Sequence, residues 1–131
     1  MARVEQLAGT LPSIVSEMRS LVNSRQTAEE ARANWGWRHG GPRFADEMTK
    51  LKMELKAQGK PVTTCTAYHV FRESKVKNPT GRMMVIPIGG TITFKNGGQV
   101  LAPGNFYYID DERILLGQDM DIIVAALEKK K

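Results

Sequence analysis

In the first 60 residues of the chain, hydrophobic side chains recur at the spacing of an α-helix. The first stripe predicts a helix over residues 11–23, with Pro12 suited to its opening turn. The last stripe predicts a helix over residues 43–58, which Pro42 precedes and Gly59 follows. The side chains expected to be buried are Leu11, Ile14, Val15, Met18, Leu21 and Val22 in the first helix and Phe44, Met48, Leu51 and Leu55 in the last.

A shorter helix is predicted between these two, over residues 27–35. Thr27 and Glu30 have the spacing of a capping box, in which a hydroxyl and a carboxylate satisfy free backbone N–H groups of the first turn. In this helix Ala28, Ala31 and Trp35 lie on one side, which predicts that Trp35 packs inward.

After Pro61 the pattern changes to that of β-strands. Short segments rich in β-branched and aromatic residues follow one another at intervals of roughly eight residues, with turn residues between them. They read VTTCTAYHVF, RMMVIPI, TITFK, QVLA, NFYYI, RILL and DIIVAAL. The strongest hairpin signal is Asn96-Gly97-Gly98, which lies between residues 91–95 and 99–102.

The predicted fold is therefore α+β, with N-terminal helices (about 11–23, 27–35 and 43–58) followed by a small antiparallel β-barrel or sandwich (about 62–127). We expect residues 1–60 to form a helical arm or helical subdomain, and residues 61–131 to form a compact β domain with a basic C-terminal tail. Because 131 residues make one domain of ordinary size, we expect these parts to fold as one cooperative unit.

Composition excludes several classes of protein. Cys65 is the only cysteine, so neither an intrachain disulfide nor a zinc site made of several cysteines can form. The N-terminal segment MARVEQLAGTLPSIV lacks the continuous apolar core of a signal peptide, and no apolar run has the length of a membrane span. We therefore expect synthesis in the cytoplasm without a signal peptide, and no membrane partner.

Residues suited to catalysis are few. His39 and His69 are the only histidines, and neither belongs to a motif with the spacing of a metal site or a nucleophile elbow. Cys65 lies four residues before His69, so an extended strand would place both on one face, but a cysteine in a strand is more often simply buried. The sequence therefore predicts a non-catalytic protein with no catalytic residue, no metal ligand and no cofactor.

An acidic run offers a second, weaker place for a cation. Asp110, Asp111 and Glu112 are consecutive, and Asp119 and Asp121 follow. Clustered carboxylates suit a hard cation, whereas a solvated loop that protects the edge of a sheet is the alternative interpretation.

The segment IGGTITFKNGGQVLAPGNFYYID resembles the second half of a cupin-type jelly roll, in which a glycine turn, a strand and a PG turn precede a strand that enters the barrel. The resemblance covers about twenty residues and implies a cupin-like small-molecule binder or enzyme as a distant alternative function. The two histidines spaced by one residue, with a glutamate after them, that hold the metal in that family are absent here, so the resemblance implies no metal-dependent activity.

Basic residues provide one candidate contact surface. Four of them surround the turn segment KNPTG, and the lysine tail, Arg38 and Arg43 could join them in space. The four are Arg72, Lys75, Lys77 and Arg82, and the tail is Lys129, Lys130 and Lys131. Such a surface suits a phosphate or an acidic protein surface, and a solvated hairpin tip is the alternative.

The segment NWGWRHGGPR, residues 34–43, provides the other candidate. It contains both tryptophans, and its glycines allow a sharp chain reversal before Pro42. If Trp35 ends a helix and packs inward, Trp37 together with Arg38, His39 and Arg43 forms an exposed contact, because aromatic and arginine side chains dominate binding hot spots. A wholly structural corner between helices is the alternative.

These features favour a non-catalytic structural or assembly protein that docks on a larger, repetitive complex, as virion decoration, head-completion or tail proteins do. A protein partner or a homo-oligomer is expected, with incorporation into a virion or another large assembly. The alternative is a nucleic-acid-binding module that uses the basic loop and a β surface.

Overall fold

The computed structural model describes residues 2–95 and 97–128 and shows an α+β fold. The described residues form two helices and ten strands. They are β1 (Arg3–Gln6), α1 (Leu11–Asn23), β2 (Ala28–Ala33), β3 (Gly36–Gly40), α2 (Pro42–Ala57), β4 (Val62–Val70), β5 (Ser74–Val76), β6 (Met83–Gly89), β7 (Thr93–Phe94), β8 (Asn105–Ile109), β9 (Arg113–Leu116) and β10 (Met120–Leu127).

Seven strands form one antiparallel sheet in the order β1-β8-β6-β10-β4-β3-β2. The other three form a small sheet in the order β5-β9-β7. Within the described residues, β1 and β2 are the outer strands of the large sheet and do not pair with each other. The prediction of an α+β fold is confirmed, but a closed barrel is not shown.

Each face of the large sheet has its own core. The helices α1 and α2 cover one face, where Leu11, Met18, Phe44, Leu51, Leu55, Ala67, Ile86, Phe106 and Ile123 are buried together. The small sheet packs against the other face, where Val76, Phe94 and Leu115 meet Val85, Tyr107 and Ile122. The sheet thus has helices on one side and a second sheet on the other, with apolar residues buried on both faces.

The first and last predicted helices are confirmed. α1 spans the predicted residues 11–23, and its buried face is the predicted stripe except for Val22, which is half-buried. α2 begins at Pro42, where the missing N–H costs nothing, and ends at Ala57. Lys60 N–H then donates to Leu55 C=O at 2.8 Å, and Gly59 takes φ +78°, as expected for a glycine that closes a helix.

The helix predicted over residues 27–35 is wrong, because most of this segment is strand β2. Every residue of β2 is exposed, so the segment is not held in place by burial of an apolar face. Instead it pairs with β3 through Ala28↔Gly40, Glu29↔His39 and Glu30↔Arg38, with an irregularity before Ala33. Backbone pairing and the Arg38–Glu30 ion pair at 3.3 Å outweigh a helix propensity of a few tenths of a kcal/mol per residue.

The first 60 residues are not helical throughout, since they contribute β1, β2 and β3 to the large sheet. Around the predicted hairpin, Thr93 pairs with Val100 and Phe94 N–H donates to Gln99 C=O at 2.9 Å. Asn96 of that turn lies outside the described residues. No helix within residues 2–95 and 97–128 is long and apolar enough to cross a membrane.

Candidate functional site

Two histidines and an aspartate meet on the helix-covered face of the large sheet. Asp121 of β10 stands opposite His69 of β4, and His69 stands opposite Trp37 of β3. His39 lies two residues after Trp37 on the same strand, and alternate residues of a strand share a face. Three neighbouring strands therefore bring His39, His69 and Asp121 together, although the chain separates them widely.

The two imidazole rings converge on one carboxylate oxygen. His39 Nε2 lies 2.7 Å and His69 Nδ1 lies 2.8 Å from Asp121 Oδ1. One donor atom from each of the three side chains lies within 4.8 Å of the other two. His39 and Asp121 are buried and His69 is half-buried, so little water reaches the cluster.

The outward-facing nitrogens of the two rings also have partners. His39 Nδ1 lies 2.9 Å from the hydroxyl oxygen of Thr27, just before β2. His69 Nε2 lies 3.1 Å from Asp119 Oδ1, whose side chain is exposed to solvent. All four imidazole nitrogens are therefore within hydrogen-bonding distance of an oxygen, which fixes the orientation of both rings.

Trp37 forms one wall of the cluster. Its indole stacks on the His69 imidazole and also meets Phe71 edge to face, with centroids 5.5 Å apart. The guanidinium of Arg32 lies 4.8 Å from the centroid of the Trp37 ring. On the other side of the cluster, Phe44 of α2 contacts His39 with ring centroids 5.7 Å apart.

The predicted roles of residues 34–43 need correction. His39 is 7% exposed, so it does not form an exposed contact, and the half-buried Trp37 faces the cluster. Trp35, expected to pack inward, is 37% exposed and meets Tyr68 edge to face at 5.6 Å. The two tryptophans therefore have the opposite of their predicted roles, because Trp35 follows a strand and not a helix.

A groove lies on the opposite side of the large sheet, between β4 and the small sheet. It has a volume of about 580 Å³ and opens to solvent. Apolar side chains line most of it, and lysines and hydroxyl groups stand among them. The residues are Trp35, Thr64, Thr66, Tyr68, Val70, Ser74, Lys75, Val76, Lys77, Pro79, Met83, Leu115, Ile122 and Val124.

The fold separates the predicted basic residues. Lys75 and Lys77 line the groove, and Lys75 pairs with Glu112 at 2.9 Å. Arg82 lies in a different cleft, and its guanidinium donates to Glu128 C=O at 2.6 Å. Arg72 is exposed in the turn after β4 and lines neither of these two surfaces.

Arg38 and Arg43 remain exposed, as expected. Arg38 pairs with Glu30 across the β2–β3 hairpin, and Arg43 donates to Gln26 and lies 3.8 Å from Glu17. Lys129, Lys130 and Lys131 lie outside the described residues.

The cleft that contains Arg82 is more basic than sequence spacing indicated. It also contains Arg3, Lys60 and Arg113, with Asp110 as its acidic member. Arg3 lies over the ring of Tyr108, 4.2 Å from its centroid. Arg3 reaches this cleft because strand β1 pairs with β8. No local sequence pattern indicated that Arg3 belongs to the cleft.

The acidic run and the cysteine have structural environments. Asp111 pairs with Arg113 at 2.6 Å and Glu112 pairs with Lys75, so two carboxylates of the run already have cationic partners. Cys65 shares the helix-covered face with His69 and packs against the core of that face. Burial raises the pKa of its thiol to about 12, which keeps it protonated near neutral pH.

No protein family, curated protein or solved structure matches this chain.

Proposed function

We propose that this protein is a non-catalytic assembly protein that receives an extended segment of a protein partner in the groove between its two sheets. The observation that carries the proposal is the groove itself, an open space of about 580 Å³ with an apolar floor and two lysines beside it. Peptide-binding sites combine such pockets with a few polar groups that set orientation.

The lining of the groove indicates the chemistry of the segment. Val124 and Pro79 present apolar surface to the groove, which favours a segment with apolar side chains facing inward. Lys75 and Lys77 favour an acidic residue or a carboxylate beside them. Trp35 adds an exposed aromatic ring at the side, a residue type common among binding hot spots.

The partner belongs, in this proposal, to a larger and repetitive body. Virion decoration, head-completion and tail proteins work in this way, and synthesis in the cytoplasm followed by incorporation into the assembly fits that role. A second copy of this chain is an alternative source of the segment. The exposed outer strands β1 and β2 support association, because their free backbone groups can pair with another strand.

Site-specific photocrosslinking tests the proposal. A photoreactive amino acid replaces Thr66, which lines the groove, or Thr49, which is exposed on α2 at the opposite face. We expect the Thr66 position to crosslink one recurring peptide that contains apolar and acidic residues, and Lys77→Glu to reduce its yield. Equal crosslinking from Thr49, or a native mass that stays monomeric in every assembly preparation, would contradict the proposal.

Nucleic-acid binding is a second candidate, which the basic cleft favours. Arg3, Lys60, Arg82 and Arg113 gather there beside the aromatic ring of Tyr108. Phosphate contacts make affinity fall steeply with salt, and loss of two cations should flatten the slope of log affinity against log salt by about one to two. The test compares Lys60→Ala/Arg82→Ala with Arg25→Ala/Arg72→Ala, whose side chains lie outside the cleft. Equal slopes for the two double variants would exclude this cleft as the phosphate site.

A further inference from the structure

We propose that His39, His69 and Asp121 bind one divalent transition-metal ion, with Zn²⁺ as the representative ion. The sequence predicted no metal ligand, and this inference replaces that expectation. It is independent of the proposed partner segment, because the cluster lies on the helix-covered face and the groove lies on the other.

The donor atoms are close to the positions that such an ion requires. Ligands about 2.1 Å from an ion are separated from one another by roughly 3.0–3.4 Å in octahedral or tetrahedral geometry. The two nitrogens lie 2.7 and 2.8 Å from Asp121 Oδ1, so a widening of a few tenths of an ångström would admit the ion. The three donors lie within 4.8 Å of one another, so the ion would also require the two imidazole rings to turn towards each other.

Counting ring protons shows that one contact of a neutral His69 lacks a donor. Both nitrogens of His69 face carboxylate oxygens, Nδ1 that of Asp121 and Nε2 that of Asp119. A neutral imidazole carries one ring proton and can donate to only one of them. A metal ion between Nδ1 and Asp121 would satisfy the second contact, and so would an extra proton, which the experiment below distinguishes.

The outer partners match those of metal-bound histidines. Such histidines usually donate their free N–H to a carboxylate or another oxygen, which holds the ring and increases its basicity. Asp119 occupies this position for His69, and the Thr27 hydroxyl occupies it for His39. Both rings of this cluster therefore have the kind of outer partner that metal-bound histidines usually have.

The donor types indicate the class of metal. Two imidazoles and one carboxylate suit Zn²⁺, Fe²⁺, Co²⁺ or Ni²⁺ more than Mg²⁺ or Ca²⁺, which prefer oxygen ligands. Three protein donors leave at least one coordination position for another ligand. The ion would also join β3 to β4 and β10, where only three residue pairs connect β3 to β4.

Metal titration of the full chain without a polyhistidine tag tests the site. After treatment with a chelator, calorimetry with Zn²⁺ should show one ion per chain, and Co²⁺ should give visible d–d absorption. Because Trp37 stacks on His69, Co²⁺ should also quench the fluorescence of a Trp35→Phe variant, in which Trp37 is the remaining tryptophan. Absence of saturable Zn²⁺ uptake by the wild-type chain would overturn the proposal.

Substitutions locate the bound ion. His69→Gln and Asp121→Asn should weaken Zn²⁺ binding by more than the roughly 100-fold that loss of an outer partner costs at most. Asp111→Asn, which removes an exposed carboxylate from the acidic run, should leave the affinity unchanged. Binding that survives both ligand substitutions would show that the ion sits elsewhere and would overturn the assignment.

Thr27→Val keeps the test decisive if a ligand variant fails to fold. It removes only the outer partner of His39 and should weaken Zn²⁺ binding by roughly 10–100-fold. Thr49→Val, at an exposed position on α2, is the matched control and should bind as the wild type does. Equal affinities of these two variants would contradict a role for His39 as a ligand.

Discussion

The indole of Trp37 lies parallel to the imidazole of His69, with ring centroids 4.1 Å apart and an angle of 9° between their planes. The two residues stand directly opposite each other on β3 and β4. This stack therefore holds the histidine ring and also attaches β3 to the rest of the sheet. It explains why Trp37, and not Trp35, is the structural tryptophan.

Trp37→Ala should lower the free energy of unfolding by about 2–4 kcal/mol, because it removes a half-buried ring together with its stacking contact. Trp35→Ala should cost about 1 kcal/mol or less, since Trp35 lies at the surface beside Tyr68. Denaturant unfolding of both variants measures the difference. The opposite ranking would mean that the stack does not hold β3.

Leu51→Ala should cost about 2–5 kcal/mol of unfolding free energy, because Leu51 is fully buried between α2 and the sheet. Met53 is the control on the same helix, since 68% of it is exposed. Met53→Ala should change stability by about 0.5 kcal/mol or less. Coinciding denaturation midpoints for Leu51→Ala and wild type would show that α2 does not pack on this core.

Gly36→Ala should destabilise the chain by about 3 kcal/mol or more, because the added Cβ would lie 1.8 Å from the His69 carbonyl oxygen. β3 would have to move away from β4, and the stack would be disturbed. Gly59→Ala is the control, because its φ is also positive but its Cβ would meet no atom within 4 Å. It should cost about 1–2 kcal/mol, the strain of the left-handed backbone alone.

Cys65 should react slowly with thiol reagents at pH 8 in the folded chain and rapidly in denaturant. Burial is the main cause that raises its pKa from 9.0 to about 12, so the reactive thiolate is scarce in the native state.

The raised pKa of Cys65 also makes the stability of the fold depend on pH. Because the folded pKa is the higher one, the contribution of the thiol is complete below pH 9 and is lost as the pH rises towards 12. Cys65→Ala should therefore show less alkaline loss of stability than the wild type. If Cys65 reacted with thiol reagents at equal rates in the folded and the unfolded chain, its burial would be contradicted.

Much of the fold could be predicted from local pattern. The α1 and α2 stripes repeat at helical spacing over more than three turns, and Pro42 and Gly59 mark the limits of α2. Such signals depend only on neighbouring residues, so tertiary structure did not alter them. The segment Ala28–Ala33 differs, because its composition suits a helix while its pairing with β3 depends on β3 being held by the distant strand β4.

The histidine cluster shows even more clearly the difference between what local sequence predicts and what the tertiary structure decides. Sequence alone determined that the chain has two histidines and one cysteine, and hence excluded sites built from motifs of closely spaced ligands. Only the tertiary structure placed His39, His69 and Asp121 together, because strand register decides which distant residues stand opposite each other. Periodicity reports which face of an element is buried, whereas the assembly of a site from three strands depends on their order in the sheet.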